Sequence, residues 1–144
     1  MRRYYAVTMY TILTVLLLVG CDNTLYSRSD ASVELGNALK KNDYKFVEFS
    51  TLQGEKWTKV CFLGPYNLQS SKTLGFKWDV TEHTEALASD GHNVIVFATD
   101  SEVISFIVHE RGLGDFWQLT GQCFSRSKSK LYKGKESGAW HLGE

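Results

Sequence analysis

The sequence lacks an excess of charge of either sign, because sixteen Lys and Arg residues balance sixteen Asp and Glu residues over its 144 positions. This balance excludes the basic footprint that nucleic-acid-binding domains carry. Proline occurs once and apolar residues make up 43%, a composition that fits neither a disordered nor a collagen-like chain. The length suffices for one packed domain and is too short for two ordinary ones.

The sequence also lacks the motifs that carry catalysis. Its four histidines, His83, His92, His109 and His141, show no metal-binding spacing. It has no phosphate loop, no dinucleotide fingerprint and no nucleophile elbow. A hydrolase with a site near His83 or His109 is therefore the weakest hypothesis. We predict no catalytic residue, no metal ligand and no cofactor, and expect a non-enzymatic protein.

The first 21 residues have the pattern of a bacterial lipoprotein signal. Two arginines precede an apolar stretch over residues 4–19, which is shorter than the about 20 residues of a membrane-spanning helix. Residues 18–20 (L-V-G) and Cys21 resemble the lipobox that directs cleavage and lipid attachment. We expect residues 1–20 to be a cleaved signal peptide and Cys21 to carry the lipid. The alternative is an ordinary signal peptide in which the cysteine falls by chance.

Asp22 and Asn23 follow the cysteine, and this pair resembles the signal that retains enterobacterial lipoproteins in the inner membrane. The alternative is that they merely begin the polar tether of residues 21–29. Cleavage removes two arginines, so the mature chain has 14 basic and 16 acidic residues and a net charge of 14 − 16 = −2. We expect a lipid-anchored domain on the periplasmic face of the inner membrane, with the membrane as its first partner and a periplasmic or inner-membrane protein as its second.

Residues 30–144 predict a single α+β domain. Asp30 or Ser32 is expected to cap a helix that runs to about Lys41, with Lys40 and Lys41 at its C-terminal end. Apolar, β-branched and aromatic runs predict strands, and the pair joined by residues 99–102 predicts a hairpin. The predicted strands are residues 57–63, 93–98, 103–108, 116–119, 122–126 and 130–132. Together they predict a small antiparallel sheet with one or two helices.

Cys61 and Cys123 remain once Cys21 is assigned to lipid, an even number outside the reducing cytosol. We predict a disulfide between them, because neither lies in a Cys-x-x-Cys motif and their flanks are apolar or neutral. The chain-entropy relation gives such a link, closing 62 residues, at most about 4 kcal/mol of stability.

The nineteen aromatic residues are expected to serve mainly in the core. Those inside apolar runs are predicted to be buried: Trp57, Phe62, Phe97, Phe106 and Trp117. Trp78 and Trp140 have polar neighbours, which leaves open an exposed contact with a partner or half-burial at a domain edge. The basic residues of segment 125–135 allow two interpretations. They contact anionic lipid headgroups, or they lie on a solvated strand edge where lysines discourage pairing with another strand.

The lipobox with Asp22, the stretch W-T-K-V-C-F-L-G-P-Y at residues 57–66 and L-G-F-K-W-D at residues 74–79 resemble the small enterobacterial lipoproteins of the YafY and YfjS type, found in prophage-like regions. The resemblance implies an inner-membrane lipoprotein linked to envelope-stress signalling and supplies no catalytic residues. We therefore expect a binding or modulatory role. The alternative is a prophage-encoded periplasmic inhibitor of a wall hydrolase or protease, which would insert a loop at residues 67–72 into its target.

Overall fold

The computed structural model describes residues 29–143. The predicted signal peptide, the predicted lipid site Cys21 and the predicted sorting residues Asp22 and Asn23 lie outside the described residues. The longest helix within them has 13 residues, and no helix there is both long and apolar enough to cross a bilayer.

Two helices and seven strands make up the regular structure of the described residues. In chain order they are α1 (Ser29–Lys41), β1 (Phe46–Glu48), β2 (Lys59–Leu63), α2 (Ser70–Leu74), β3 (His92–Ala98), β4 (Val103–Glu110), β5 (Cys123–Ser125), β6 (Lys130–Lys133) and β7 (Trp140–Leu142). The predicted α+β class is confirmed. The strands form two antiparallel sheets rather than one, a central sheet in the order β4-β3-β2-β5 and a small sheet in the order β1-β6-β7.

Strands β2, β3 and β4 of the central sheet are buried on both faces, which explains why their sequences are nearly continuous apolar runs. Val60 and Phe62 of β2 face one hydrophobic cluster, while Cys61 and Leu63 face the other. Strand β3 divides in the same way, since successive side chains point to opposite faces of a sheet. The predicted hairpin is confirmed as β3 and β4, which pair antiparallel.

Helix α1 and the small sheet cover the first face of the central sheet. Ala31, Leu35 and Leu39 recur every four residues, so one stripe of the helix is buried. The small sheet adds Val47, Leu131 and Trp140 to the same cluster. Within residues 29–143, both clusters are built by side chains at positions 31–140, so a chain that begins at residue 22 keeps all of them.

The chain between β2 and β3, residues 64–91, covers the second face, and we call it the cover. It consists of α2 and two 3₁₀ turns, Val80–Glu82 and Ala86–Ala88. The cover seats four apolar side chains against the central sheet: Leu74, Trp78, Val80 and Leu87.

The disulfide between Cys61 and Cys123 is present, as the sequence predicts. The two residues face each other directly in the β2–β5 pair, with their Cα atoms 4.0 Å apart. The bond therefore ties the edge strand β5 to an interior strand of the central sheet. It also lies beside α2, because the Cys123 sulfur is 3.3 Å from the carbonyl oxygen of Thr73.

Several sequence predictions are wrong in detail. Helix α1 starts at Ser29, so Asp30 and Ser32 lie inside it and do not precede it as caps. The strand predicted at residues 116–119 is a 3₁₀ turn, Trp117–Leu119, because Phe116 and Leu119 reach the core while the residues between them face water. Trp117 is accordingly 53% exposed and not buried.

The two tryptophans with polar neighbours, Trp78 and Trp140, are buried. Trp78 belongs to the cover and packs against the central sheet. Trp140 lies on the inner face of the small sheet against Phe116, with ring centroids 5.0 Å apart. The polar neighbours of Trp140 misled the sequence prediction because β7 has a single buried residue, and one position cannot show an alternating pattern.

Candidate functional site

The cover begins with a tight turn at residues 64–67. The N–H of Asn67 donates to the carbonyl oxygen of Gly64 at 3.1 Å, and Pro65 occupies the second position of the turn. Gly64 packs so closely against the side chain of Thr120 that a Cβ at this position would collide with it. The start of the turn is therefore pinned to the body of the domain.

Tyr66, the third residue of this turn, has a φ of 60°. That conformation suits glycine or asparagine, and for a bulky aromatic residue it costs about 1–3 kcal/mol. The N–H of Tyr66 donates to the carbonyl oxygen of Leu87 at 2.8 Å, which fixes the backbone in place. The Tyr66 side chain is nevertheless 62% exposed. The fold thus holds a largely exposed ring at a conformational cost, with little burial to offset it.

Leu68 stands beside Tyr66 and is 59% exposed. The two side chains border a cleft of about 360 Å³ that opens between the turn and the later part of the cover. Its other lining residues are mainly apolar or neutral: Val80, Thr81, Thr84, Glu85, Leu87 and Ala88. Two exposed apolar side chains at the mouth of a largely apolar cleft are the strongest binding feature of the described residues.

The hydroxyl groups of two serines of α2 form hydrogen bonds to the backbone next to this cleft. The buried Ser70 hydroxyl donates to the carbonyl oxygen of Trp78 at 2.8 Å and accepts the N–H of Val80 at 3.0 Å. Ser71 reaches the same residue, donating to the carbonyl oxygen of Trp78 and accepting its N–H. These bonds satisfy polar backbone groups that the cover buries, and they position Val80 at the cleft wall.

The later part of the cover is acidic. Residues 79–90 contain Asp79, Glu82, Glu85 and Asp90 and no Lys or Arg. The N–H and the hydroxyl of Thr81 both donate to the Asp79 carboxylate, and these bonds lower the pKa of Asp79 below its usual value. The cleft therefore sits in a region of negative charge at neutral pH.

His83 and His109, the residues of the hydrolase hypothesis, lie on opposite sides of the central sheet. The His83 ring stacks on Trp78 with centroids 4.8 Å apart, so it belongs to the cover. His109 packs on Phe116 on the α1 side, with centroids 5.7 Å apart. The structure does not bring the two histidines into one site.

His109 is fully buried, and burial lowers its pKa to about 4. Arg111 and Asp115 lie close by in the chain, and the Arg111 guanidinium donates two hydrogen bonds to the Asp115 carboxylate, at 2.9 and 2.7 Å. Those bonds hold the pKa of Asp115 below its usual range. This pair fastens the turn that follows β4. Within residues 29–143, no three Cys, His, Asp or Glu side chains are grouped as metal ligands.

Sequence reasoning placed an interaction loop at residues 67–72, which overlaps the candidate cleft at Leu68. Leu68 is exposed within that loop, whereas residues 70–72 form the start of α2. It missed Tyr66 altogether. The signal was the sequence Gly-Pro-Tyr-Asn, since proline at the second position of a turn places the next residue where a positive φ is required in one common turn type.

Comparisons with protein families, with curated protein sequences and with solved structures found no match for this chain.

Proposed function

We propose that this chain is a lipid-anchored binding protein on the periplasmic face of the inner membrane, which acts by engaging another protein at the Tyr66 cleft and not by catalysis. The observation that carries the proposal is Tyr66 itself, exposed at the mouth of an apolar cleft in a backbone conformation that costs stability. Tyrosine is among the residues that most often dominate binding energy at protein interfaces.

The chemistry of the cleft defines the partner. Its volume is at the lower end of the about 300–1,000 Å³ typical of ligand pockets, so it takes one or two side chains of a protein segment. The carboxylates of residues 79–90 favour a cation next to those side chains. We therefore propose a partner segment of a periplasmic or inner-membrane protein that presents an apolar side chain beside Lys or Arg.

The location rests on the residues around Cys21. The lipobox supports lipid attachment there, and Asp22 with Asn23 supports retention in the inner membrane. The variant Asp22→Ser, compared with the native lipoprotein by membrane fractionation, is expected to move to the outer membrane. Recovery of both forms in the same fraction would refute retention.

The resemblance to the YafY and YfjS type supports a link to envelope-stress signalling. The test compares a stress reporter during expression of the lipoprotein and of a secreted domain that lacks Cys21, at equal periplasmic amounts. We expect the secreted domain to raise the reporter, because it keeps the Tyr66 cleft and both hydrophobic clusters. A response that disappears while the folded domain stays abundant would contradict binding by the domain and assign the response to the lipid.

A second function, inhibition of a wall hydrolase or protease, is favoured by the fixed backbone of the turn. Gly64 is held against Thr120, Tyr66 is held to Leu87, and the Asn67 side chain accepts the N–H of Gln69 at 3.1 Å. A rigid loop with an exposed aromatic residue suits insertion into an enzyme cleft. The purified domain in large molar excess should then slow muramidase or a periplasmic protease. Unchanged rates would exclude inhibition of those enzymes.

A further inference from the structure

The outward face of the small sheet carries lysine beside aromatic side chains. Phe46, Tyr132 and His141 form one row across the three strands, and Glu48 lies opposite Lys130 in the next row. Lys130 lies over two of these rings, with its Nζ 4.6 Å from the centroid of Phe46 and 5.5 Å from that of Tyr132. We call this surface, with the neighbouring Lys128, the basic face.

A shallow groove of about 470 Å³ crosses the basic face. Its lining residues are Ser127, Lys128, Lys130, Tyr132, Leu142 and Gly143. The surrounding segment, residues 126–135, contains five Lys or Arg residues and no Asp or Glu. The Lys130 ammonium group lies over the Phe46 ring in a cation–π contact, so this face presents positive charge and an aromatic surface together.

Protection of a sheet edge does not account for these lysines. Strand β6 lies between β1 and β7, so the strand that carries Lys130 and Lys133 is the middle strand of the small sheet. Its backbone is paired on both sides and offers no free edge for another strand. The reading of segment 125–135 as a solvated edge is therefore wrong for β6.

Hydrogen bonds connect the early part of α1 with residues 126–135, which we call the basic segment. Gln53 donates to the Glu34 carboxylate on α1 at 2.6 Å. The next residue, Gly54, accepts a hydrogen bond from Arg126 at 2.8 Å, and Arg126 also donates to the carbonyl oxygen of Ser50. The early part of α1 is thus joined through residues 50–54 to the beginning of the basic segment.

We propose that the basic face rests on the anionic phospholipid headgroups of the membrane in which the chain is anchored. This inference rests on the proposed lipid at Cys21 for its setting. The eight residue steps from Cys21 to Ser29, the first residue of α1, reach at most about 26–29 Å at 3.3–3.6 Å each, which keeps the domain within reach of the bilayer surface. The lysines supply attraction to anionic headgroups, and Phe46 and Tyr132 supply apolar contact at the interface.

This orientation has a consequence for the cleft. The cover lies on the second face of the central sheet, whereas the small sheet lies on the first. A domain that rests on its small sheet turns the acidic cover and Tyr66 away from the bilayer. The Tyr66 cleft is then presented to the periplasm, while the negative charges around it are kept from anionic lipid.

The experiment uses the oxidised chain from residue 22, which keeps both hydrophobic clusters, and vesicles of phosphatidylcholine with or without phosphatidylglycerol. This chain has a net charge of 14 − 16 = −2, so overall charge opposes binding to anionic vesicles. We expect co-sedimentation with the anionic vesicles alone, weakened by salt. Each lysine near the membrane surface raises the binding constant about fivefold, so the double variant Lys128→Gln, Lys130→Gln should lower the binding constant about 25-fold.

The matched control is Lys72→Gln with Lys77→Gln, which removes the same charge from the cover and should leave vesicle binding unchanged. Tyr132→Ser keeps all the charges and should weaken binding through lost apolar contact. Far-ultraviolet circular dichroism and thermal unfolding verify that each variant is folded. Absence of binding to anionic vesicles, or an equal loss in the control pair, would overturn the proposal. Since the chain lacks Cys21 and no partner protein is present, neither result bears on the anchor or on the Tyr66 cleft.

Discussion

The two faces of the central sheet are covered in different ways. On the α1 side, large aromatic rings interlock, as where Phe49 meets Phe62 edge to face at 5.4 Å and Trp57 meets Phe97 at 5.1 Å. On the other side, the cover is a thin layer of one short helix and turns, which packs four apolar side chains against the sheet and is held in addition by the hydroxyls of Ser70 and Ser71. Side-chain hydrogen bonds to the backbone therefore contribute more to the cover than to the α1 side, where aromatic packing dominates.

A tyrosine with positive φ occurs on both sides of the central sheet. Tyr44, which follows α1, has a φ of 56° and packs partly buried against the α1-side cluster, whereas Tyr66 in the cover has a φ of 60° and an exposed ring at the cleft. A few directional bonds fix a turn without burying its side chains, whereas a hydrophobic layer has to bury the side chains that stabilise it. The cover therefore suits a binding site, and the α1 side suits a stable base.

Loss of the disulfide should have the largest effect, and it acts on the central sheet that both layers share. The double variant Cys61→Ala, Cys123→Ala should lower the free energy of unfolding by about 4 kcal/mol, because the bond closes a long stretch of chain. Chemical denaturation of the oxidised native domain and of the variant measures this difference. Equal unfolding midpoints would show that the link between β2 and β5 adds no stability.

Lowering the pH should destabilise mainly the α1 side, because it protonates His109. Its folded-state pKa of about 4 lies below the ordinary value of 6.5, so the unfolded chain binds the proton more readily. This group therefore costs no stability above pH 6.5 and lowers stability by about 3 kcal/mol as the pH falls to 4. The nearby Glu110 raises this pKa and His92 lowers it, and both effects are smaller than that of burial.

The measurement for His109 is the free energy of unfolding between pH 7 and pH 4, in the native domain and in His109→Leu. The native domain should lose about 3 kcal/mol more than the variant over this range, because only the native chain carries the buried imidazole. Parallel curves for the two proteins would remove His109 as the cause.

Ser70→Ala should loosen the cover alone. It leaves the buried N–H of Val80 without its acceptor, which costs about 1–3 kcal/mol. Hydrogen exchange should therefore accelerate at residues 70–88 and stay unchanged in β6. Ser127→Ala, an exposed position on the other side of the central sheet, is the matched control. Faster exchange throughout the domain would mean that the cover and the α1 side open together.

The smallest effect is expected at Tyr66. The sign of the change in the free energy of unfolding distinguishes a binding residue from a structural one at this position. Tyr66→Asn should raise the free energy of unfolding by about 1 kcal/mol, because asparagine tolerates the positive φ. Tyr66→Ala retains the unfavourable conformation and should change stability little, since the ring is mostly exposed. A loss of stability in both variants, measured by denaturation, would make Tyr66 part of the packing.

The sequence predicted the elements whose burial is visible in a short window. The continuous apolar runs of β2, β3 and β4 reflect burial on both faces, and the spacing of Leu35 and Leu39 reflects the buried stripe of α1. Strands β1 and β7 were missed because three residues with one buried position carry no periodic signal. The separation into two sheets was missed because it depends on contacts between distant parts of the chain.

The candidate site was less predictable than the fold. The disulfide could be inferred from the number of cysteines and their flanks, but the exposure of Tyr66 follows from a backbone angle and from a contact with Leu87 on another turn. Likewise, the sequence predicted burial for Trp117, which is exposed, and left the burial of Trp140 open, because neighbouring residue types do not show which side chain the packing brings into the core.

The most direct test of the account measures the envelope-stress reporter during expression of the lipoprotein carrying Tyr66→Asn with Leu68→Ser. The control is Lys72→Gln, an exposed substitution on α2 of the same cover. With equal membrane amounts verified by immunoblotting, the native and control proteins should raise the reporter, and the double variant should lose most of the response while remaining folded. An undiminished response from the double variant would contradict the claim that this protein acts through the Tyr66 cleft.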